Sequence, residues 1–321
     1  MKMTVYAVQP EEMPAWERLR QQYSLELVLT AEKPGLHNAD LLKGADAVNV
    51  VSDVVITREI WAEWHRAGIR AAVTRTIGDE HMNRAIGQEY GIPVFRIQYS
   101  PSSVADYAIM MMLMVLRNVK PMMQRYVGGD YTVSGMLGRE LPNMTVGILG
   151  AGRIGTVTAK HLQGFGCRVC YWNRTPREGI PAEYLPLDRL LSESDILSLH
   201  LSANKDTLHF IDREKIARMK PGAILINTAR GPLVDTDALI EALESGHLSG
   251  AGLDVFDGDR EIYYRDFKNK MTAHHQMAIL NAMPQVLMLP HMAYYTDQAV
   301  EDMVTNSVLA VLEYFQMRRE I

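Results

Sequence analysis

Cysteine, long apolar runs and excess charge are all scarce in this 321-residue chain. It has two cysteines, Cys167 and Cys170. That is too few to staple a fold of this size, so a disulfide scaffold is excluded and a reducing cytoplasm is the expected compartment. The longest apolar run, Tyr107 to Leu116, is about half the ~20 residues that span a bilayer, so it reads as a buried helix. The formal net charge is only −5. Basic residues are scattered, with no run longer than Arg318-Arg319. Such a balance gives no global attraction to nucleic acid or to an anionic membrane. No signal-peptide pattern precedes the first strand-like run, Thr4 to Val8.

What is present is alternation. The length argues for two domains, and 47% hydrophobic content is enough to give each a core. The first part predicts strands at Thr4–Val8, Leu25–Leu29, Ala47–Val50, Ala71–Val73 and Ile92–Phe95. Helical patterns lie between them, at Thr57–Ala67 and Met82–Tyr90, closed by Gly68 and Gly91. A long helix is expected from Pro101 to Asn118, with the proline at its first position. A polar, glycine-rich loop follows, Gly128 to Asn143. Alternation then resumes, with strands at Thr145–Leu149, Arg168–Trp172, Ile196–Leu199, Ala223–Ile226, Ala251–Leu253 and Val286–Leu289. A final helix is expected over Thr296–Arg318. Strands alternating with helices signal parallel sheets wrapped by helices, an α/β fold.

The strand Thr145–Leu149 runs into Gly150-Ala151-Gly152-Arg153-Ile154-Gly155, and an amphipathic stretch, Thr156 to Phe165, follows. Strand, tight turn and helix N-terminus present unpaired N–H groups to an anion. Gly150 allows the turn, Gly152 lets a pyrophosphate near the backbone, and Gly155 lets helix and strand pack closely. The pattern predicts a dinucleotide site; a glycine-rich turn without a ligand is the alternative. The next strand ends in Asn173-Arg174-Thr175. An acidic residue there would bond the ribose hydroxyls of NAD(H). Arg174 instead offers a fork suited to phosphate, with the Thr175 hydroxyl beside it. NADP(H) is therefore favoured, with NAD(H) as the alternative in which Asn173 still bonds the ribose.

Four motifs together carry a specific likeness: the glycine turn, Met219 to Gly231 (MKPGAILINTARG), Gly252 to Phe256 (GLDVF) and Leu289 to Thr296 (LPHMAYYT). With them the chain resembles the D-isomer-specific 2-hydroxyacid dehydrogenase family over essentially its whole length. Tyr99-Ser100-Pro101, Val104 to Tyr107 and the residues after His291 look most like D-lactate dehydrogenases, the vancomycin-resistance type above all. The resemblance implies two Rossmann-like, doubly wound parallel-sheet domains. A dinucleotide-binding domain, about 99–297, would be inserted into a flavodoxin-like substrate domain built from 1–98 and 298–321. The cleft between them would be the active site. It also implies a homodimer formed through the dinucleotide domain.

The implied reaction moves a hydride between a nicotinamide cofactor and C2 of a small 2-keto or 2-hydroxy acid, pyruvate to D-lactate first among candidates. Arg230 follows a strand at its carboxyl end, where open α/β sheets bind ligands, and its fork suits a carboxylate. A loop arginine satisfying carbonyls is the alternative reading. His291 matches the family's acid/base histidine, a role suited to imidazole near neutral pH. The family's partner glutamate falls on Asp259, one methylene shorter, with Glu261 nearby as a fallback. Thr76, Ile77 and Gly78 match a loop whose amides bind the substrate carboxylate, and Tyr99 matches a tyrosine near the substrate. The loop Val51–Val54 is expected to face the substrate side chain. Beyond the turn and the 173–175 segment, the expected cofactor contacts are His200, Leu201, Ser202, Thr207, Thr228, Ala229 and Asp254. A glyoxylate or hydroxypyruvate reductase, and a nucleotide-sensing corepressor without turnover, remain alternatives.

Three other signals point to structure rather than chemistry. Cys167 and Cys170 have C-x-x-C spacing, but on a strand i and i+3 face opposite sides. His274-His275 has no further ligands at metal spacing. Met110 to Met112 sits in an apolar helix and suits a core or a subunit interface.

Overall fold

The computed structural model describes residues 1–317 except Asp53, Asn269 and Met271. Asp53 takes part of the Val51–Val54 loop, and Arg318 the end of the last expected helix, outside the described residues. The chain divides into two compact units. Unit 1 is Met1–Ser100 with Tyr295–Ile321, and unit 2 is Pro101–Tyr294.

In chain order, unit 1 contains β1 (Lys2–Val5), α1 (Met13–Tyr23), β2 (Glu26–Leu29), β3 (Ala47–Val50), α2 (Arg58–Arg66), β4 (Ala71–Thr74), α3 (Arg84–Glu89) and β5 (Val94–Arg96). Unit 2 opens with α4 (Ser102–Leu116), α5 (Val119–Val127), β6 (Thr145–Leu149), α6 (Arg153–Gln163), β7 (Arg168–Trp172) and β8 (Glu183–Tyr184). It continues through α7 (Leu187–Glu193), β9 (Ile196–Leu199), α8 (Arg213–Arg218) and β10 (Ala223–Asn227). It ends with α9 (Thr236–Glu244), β11 (Leu248–Leu253), α10 (His275–Ala282) and β12 (Val286–Met288). The last helix, α11 (Asp297–Met317), returns to unit 1. No helix among the described residues is long and apolar enough to cross a membrane.

Both sheets are parallel throughout. Unit 1 orders its strands β2-β1-β3-β4-β5, the flavodoxin-like arrangement. Unit 2 orders them β12-β11-β10-β9-β6-β7-β8, the dinucleotide-binding order with a seventh strand added. Strand order reverses between β6 and β9, so the switch point lies at the carboxyl end of β6. The unit 2 sheet is apolar on both faces. Val146, Ile148, Ile196, Ile224 and Ile226 pack one way; Leu149, Leu197, Leu199 and Leu225 pack the other. Cys167 and Cys170 are buried free thiols that join these two opposite cores.

Several boundaries differ from the sequence expectation. The first strand stops at Val5 because Ala7 turns to φ +52°. Pro101 caps α4 from outside rather than opening it. The helix α5 falls in a stretch for which the sequence predicted no element: Val119, Met122, Met123, Tyr126 and Val127 recur at helical spacing, yet none of its residues is buried. The expected final helix starts at Asp297, one residue late.

Unit 1 is organised around a buried charge. The Arg75 side chain is 0% exposed, at the carboxyl end of β4. Its Nε donates to Glu12 Oε1 at 2.9 Å, and its Nη1 to Asn49 Oδ1 at 2.9 Å. Nη2 reaches the carbonyls of Tyr6 and Ala7, and the guanidinium lies 5.7 Å from the Trp16 ring centroid. Asn49 Nδ2 in turn donates to Ser307 Oγ on α11 at 2.8 Å. One side chain thus ties the ends of β1, β3 and β4 to α1 and, through Asn49, to α11. Removing one member of such a pair leaves a buried charge without compensation. Arg75→Met is therefore expected to lower unfolding stability by roughly 3–5 kcal/mol. Urea denaturation checks this, and a loss below about 1 kcal/mol would mean that the network behaves like a surface pair.

Candidate active site

The glycine turn closes at the switch point. Gly150 N donates to Trp172 O at 2.9 Å, and α6 begins at Arg153. A Cβ on Gly155 would stand 2.2 Å from Gly150 O, so only glycine lets the first turn of α6 pack on the strand end. A Cβ on Gly152 would meet nothing within 4 Å. That open space, over the free N–H groups of an 11-residue helix, is where a pyrophosphate would lie. Arg153 is exposed and Ile154 half-buried at that helix end.

Asn173 is turned toward this loop: its Oδ1 accepts the Ala151 N–H at 2.8 Å. Arg174 and Thr175 are exposed beyond it. Arg177, which sequence reading left out, places Nη1 3.5 Å from Ala151 O. Across the switch point His200 N donates to Leu149 O, and its Nε2 lies 2.9 Å from Ser198 Oγ. Burial pushes the His200 imidazole down to about 4, so it is neutral at pH 7. Leu201 packs on the adjoining core, and Thr207 Oγ1 donates to Ser202 O at 2.8 Å. At the end of β10, Thr228 Oγ1 is buried with no hydrogen-bond partner among the described residues. An orphaned hydroxyl at the carboxyl edge of the sheet that carries the open glycine cradle fits a bound dinucleotide.

Arg230 stands two residues farther on. Asn227 Oδ1 accepts the Ala229 N–H, Asn227 Nδ2 donates to Arg230 O, and Arg230 Nη1 donates to Ala229 O at 2.8 Å. Gly231 brings this loop against the next one, since a Cβ there would stand 2.0 Å from Phe256 O. Asp259 follows Phe256 closely, 9% exposed. Burial pushes its carboxyl up to about 6, against hydrogen bonding from the Phe256 backbone and the charges of Arg260 and Arg230.

The buried Asp254 fixes the third element. Its carboxylate accepts the N–H groups of Met292 and Ala293 at 2.9 and 3.0 Å, and its carbonyl accepts the His291 N–H at 2.9 Å. Tyr107 bonds it from α4. Burial still raises Asp254 to about 6. This clamp holds His291 at φ +55°, an uncommon conformation for a residue with a side chain. The half-buried imidazole is pushed down to about 4, by burial first and then by the charges of Arg230 and Arg260. Arg230 is therefore within electrostatic reach of both Asp259 and His291. No hydrogen bond or ion pair joins Asp259 to His291 among the described residues. Glu261 lies in the same short 3-10 turn as Asp259. Tyr264, also missed from sequence, donates its hydroxyl to His291 O at 2.9 Å, with ring centroids 5.8 Å apart. Its aromatic character alone gave no signal, but Tyr107 lay inside a quoted motif.

Of the remaining expected residues, Thr76, Ile77, Gly78 and Tyr99 belong to unit 1. Among the described residues, the N–H groups of Thr76, Ile77 and Gly78 donate to no protein acceptor. Three consecutive unpaired amides suit an anion. Tyr99 is half-buried on the segment after β5, which is tied to the loop by Ile97 N to Thr76 O at 3.3 Å. His274 is not a ligand candidate: its Nδ1 caps α10 by accepting the Met277 N–H.

Residues 109–293 match the NAD binding domain of the D-isomer specific 2-hydroxyacid dehydrogenases. The chain is 38% identical to a D-specific alpha-keto acid dehydrogenase of Enterococcus faecium, over 99% of this chain and 98% of that one. It is 32% identical to an aromatic 2-oxoacid reductase of Clostridium sporogenes, over 98% and 96%. Among solved structures, a D-lactate dehydrogenase from Treponema pallidum superposes with a TM-score of 0.92 at 31% identity, covering 98% and 97%. An open glycine cradle at the switch point, with an arginine after β10 and a histidine after β12, thus meets full-length similarity: the chain belongs to the D-isomer specific 2-hydroxyacid dehydrogenase family, oxidoreductases that use a nicotinamide dinucleotide.

Proposed function

We propose that the chain reduces a small 2-keto acid to its D-2-hydroxy acid, with pyruvate to D-lactate as the leading reaction. The observation that carries this reading is the placement of Arg230, Asp259 and His291 in the segments that follow the adjacent strands β10, β11 and β12, with the charge of Arg230 acting on both of the others. The bound dinucleotide supplies the hydride for C2. The Arg230 fork holds the substrate carboxylate and draws charge toward the carbonyl oxygen. His291 gives that oxygen its proton in reduction and takes it back in oxidation. A carboxylate on Arg230 cancels part of the charge that depresses His291, so substrate binding itself favours the protonated imidazole. Asp259 orients and supports that cation, and the amides of Thr76, Ile77 and Gly78 bind the same carboxylate, with Tyr99 near it. The similarity to an aromatic 2-oxoacid reductase favours a second reading, in which the preferred acid carries an aromatic side chain.

Arg174 and Thr175 support NADP(H), because a guanidinium and a hydroxyl there suit a 2′-phosphate. The match to an NAD binding domain supports NAD(H) instead. The remaining cofactor contacts are assigned to the glycine turn and to His200, Leu201, Ser202, Thr207, Thr228, Ala229 and Asp254. Unit 2 also carries an apolar surface, with Val127 at 87%, Val133 at 88% and Leu137 at 94% exposure. A second copy of the chain is the proposed cover. Two free thiols fit the cytoplasm.

Initial rates over pyruvate, 2-ketoisocaproate, phenylpyruvate and glyoxylate, each with NADH and NADPH, test the activity. Pyruvate with NADPH is expected to lead. Cofactor binding without turnover of any acid would make the protein a nucleotide sensor, and Arg174→Ala should cut kcat/KM for NADPH about tenfold while sparing NADH. Equal losses with both cofactors would remove the proposed preference. His291→Ala should lower reduction by about 10²–10⁴-fold with cofactor affinity kept. The pH profile fixes the relay. Reduction needs the protonated imidazole, so kcat/KM for the keto acid should fall as pH rises above the histidine's pKa. Asp259→Glu, reaching one methylene farther, should move that limb to higher pH and Asp259→Asn to lower pH. Superimposable profiles would remove Asp259 from the mechanism. Light scattering at micromolar concentration should give twice the chain mass; a monomer mass would leave the apolar surface without the proposed partner.

A further inference from the structure

The loop proposed to bind the substrate carboxylate is backed by a chain of side-chain hydrogen bonds that runs into the core of unit 1. Thr76 Oγ1 lies 2.6 Å from Gly78 O. Thr74 Oγ1 lies 2.7 Å from Thr76 Oγ1. His81 Nε2 lies 3.0 Å from Thr74 Oγ1. Thr74 is 0% and His81 1% exposed, while Thr76 to Gly78 are half-buried.

Counting protons gives this chain a direction. A carbonyl only accepts, so Thr76 must donate its one hydroxyl hydrogen to Gly78 O. Thr76 then has only acceptor capacity left for Thr74, so Thr74 donates to Thr76. With its hydrogen committed, Thr74 can only accept from His81. The His81 imidazole must therefore carry a proton on Nε2. Each bond in such a series polarises the next. The last one ties the end of the 76–78 loop back to its start, which holds the three unpaired amides in one arrangement. Arg75 anchors the same loop from its other side, through Arg75 N to Val50 O at 2.9 Å and the buried ion pair with Glu12.

We propose that His81 and Thr74 are positioning residues, which set the geometry of the carboxylate-binding amides at Thr76, Ile77 and Gly78 without touching substrate. This rests on the functional reading above. It assigns a role to two buried polar residues that the reaction itself does not use. It also says what the position of His81 requires, namely a buried donor at Nε2, whatever the charge of the ring.

The test compares isosteric and conservative variants. Thr74→Val keeps the shape and removes the relay, whereas Thr74→Ser keeps the hydroxyl. His81→Leu removes the donor, whereas His81→Gln places an amide N–H near the position of Nε2. Thr74→Val and His81→Leu should each raise KM for pyruvate about tenfold. The inhibition constant of oxamate, a pyruvate isostere that accepts no hydride, should rise in parallel. KM for the cofactor and the melting temperature should stay near the parent values. Thr74→Ser and His81→Gln should bring the pyruvate KM back to within about threefold. An unchanged pyruvate KM in Thr74→Val, in a parent protein that reduces pyruvate, overturns the relay alone. So does a loss in which cofactor KM and melting temperature move with pyruvate KM, since that is what a merely structural role would give. A parent protein that neither reduces a 2-keto acid nor binds oxamate overturns the functional reading, and the relay's role with it.

Discussion

A carboxylate with no solvent exposure must find its hydrogen bonds inside the protein or lose its charge. Asp254 finds them in the N–H groups of Met292 and Ala293 and in Tyr107. Those bonds decide the path of the backbone after β12. They turn His291 into the left-handed region, and the charge of Arg230 acts on its ring. The position of His291 is referred to that clamp. The glycine turn could hold a cofactor without it, but the imidazole would have no fixed place.

The same economy of charge governs the groups proposed to react. Arg230 and Arg260 give the site a positive field, which suits an anionic substrate and opposes a protonated histidine. A carboxylate close to the ring would resolve the conflict. Asp259 is buried on the right loop, yet it bonds the Phe256 backbone rather than the imidazole. In the proposed mechanism the free site would hold a neutral imidazole, and the arriving carboxylate would complete its electrostatics. That mechanism would link substrate binding to proton uptake, with the side-chain length at position 259 as one control.

Much of this was legible in the sequence, for definable reasons. The strands of unit 2 are apolar on both faces, so β6, β7 and β9 show as continuous runs with the bounds that the structure gives them. The glycine turn was readable because each glycine answers to a different steric demand. The helix α5 was not, although its apolar residues recur at helical spacing, because Asn118 before it and Pro121 within it read as a helix end. Arg75 was invisible for the opposite reason: arginine reads as surface, and only the fold discloses the carboxylate and carbonyls gathered around it. Asp259 could be placed by alignment with its family, but its distance from His291 is a property of side-chain length and loop path. Tyr264 reached His291 through a backbone carbonyl, a contact that leaves no pattern in sequence.

Unit 1 is discontinuous. Its five strands are made at the start of the chain, but α11, which packs on α1, β4 and β5, arrives after all of unit 2. Asn49 waits for Ser307, Gln98 O for Asn306, and Ser100 N for Asp302. During synthesis the usual N-terminal-first order is therefore inverted. Unit 2 has all its strands and both its cores once β12 has left the ribosome, whereas the half-built sheet of unit 1 must keep its apolar surface from straying until the last helix emerges. The portion begun first is completed last, and the nascent chain carries that unfinished surface through nearly the whole of translation.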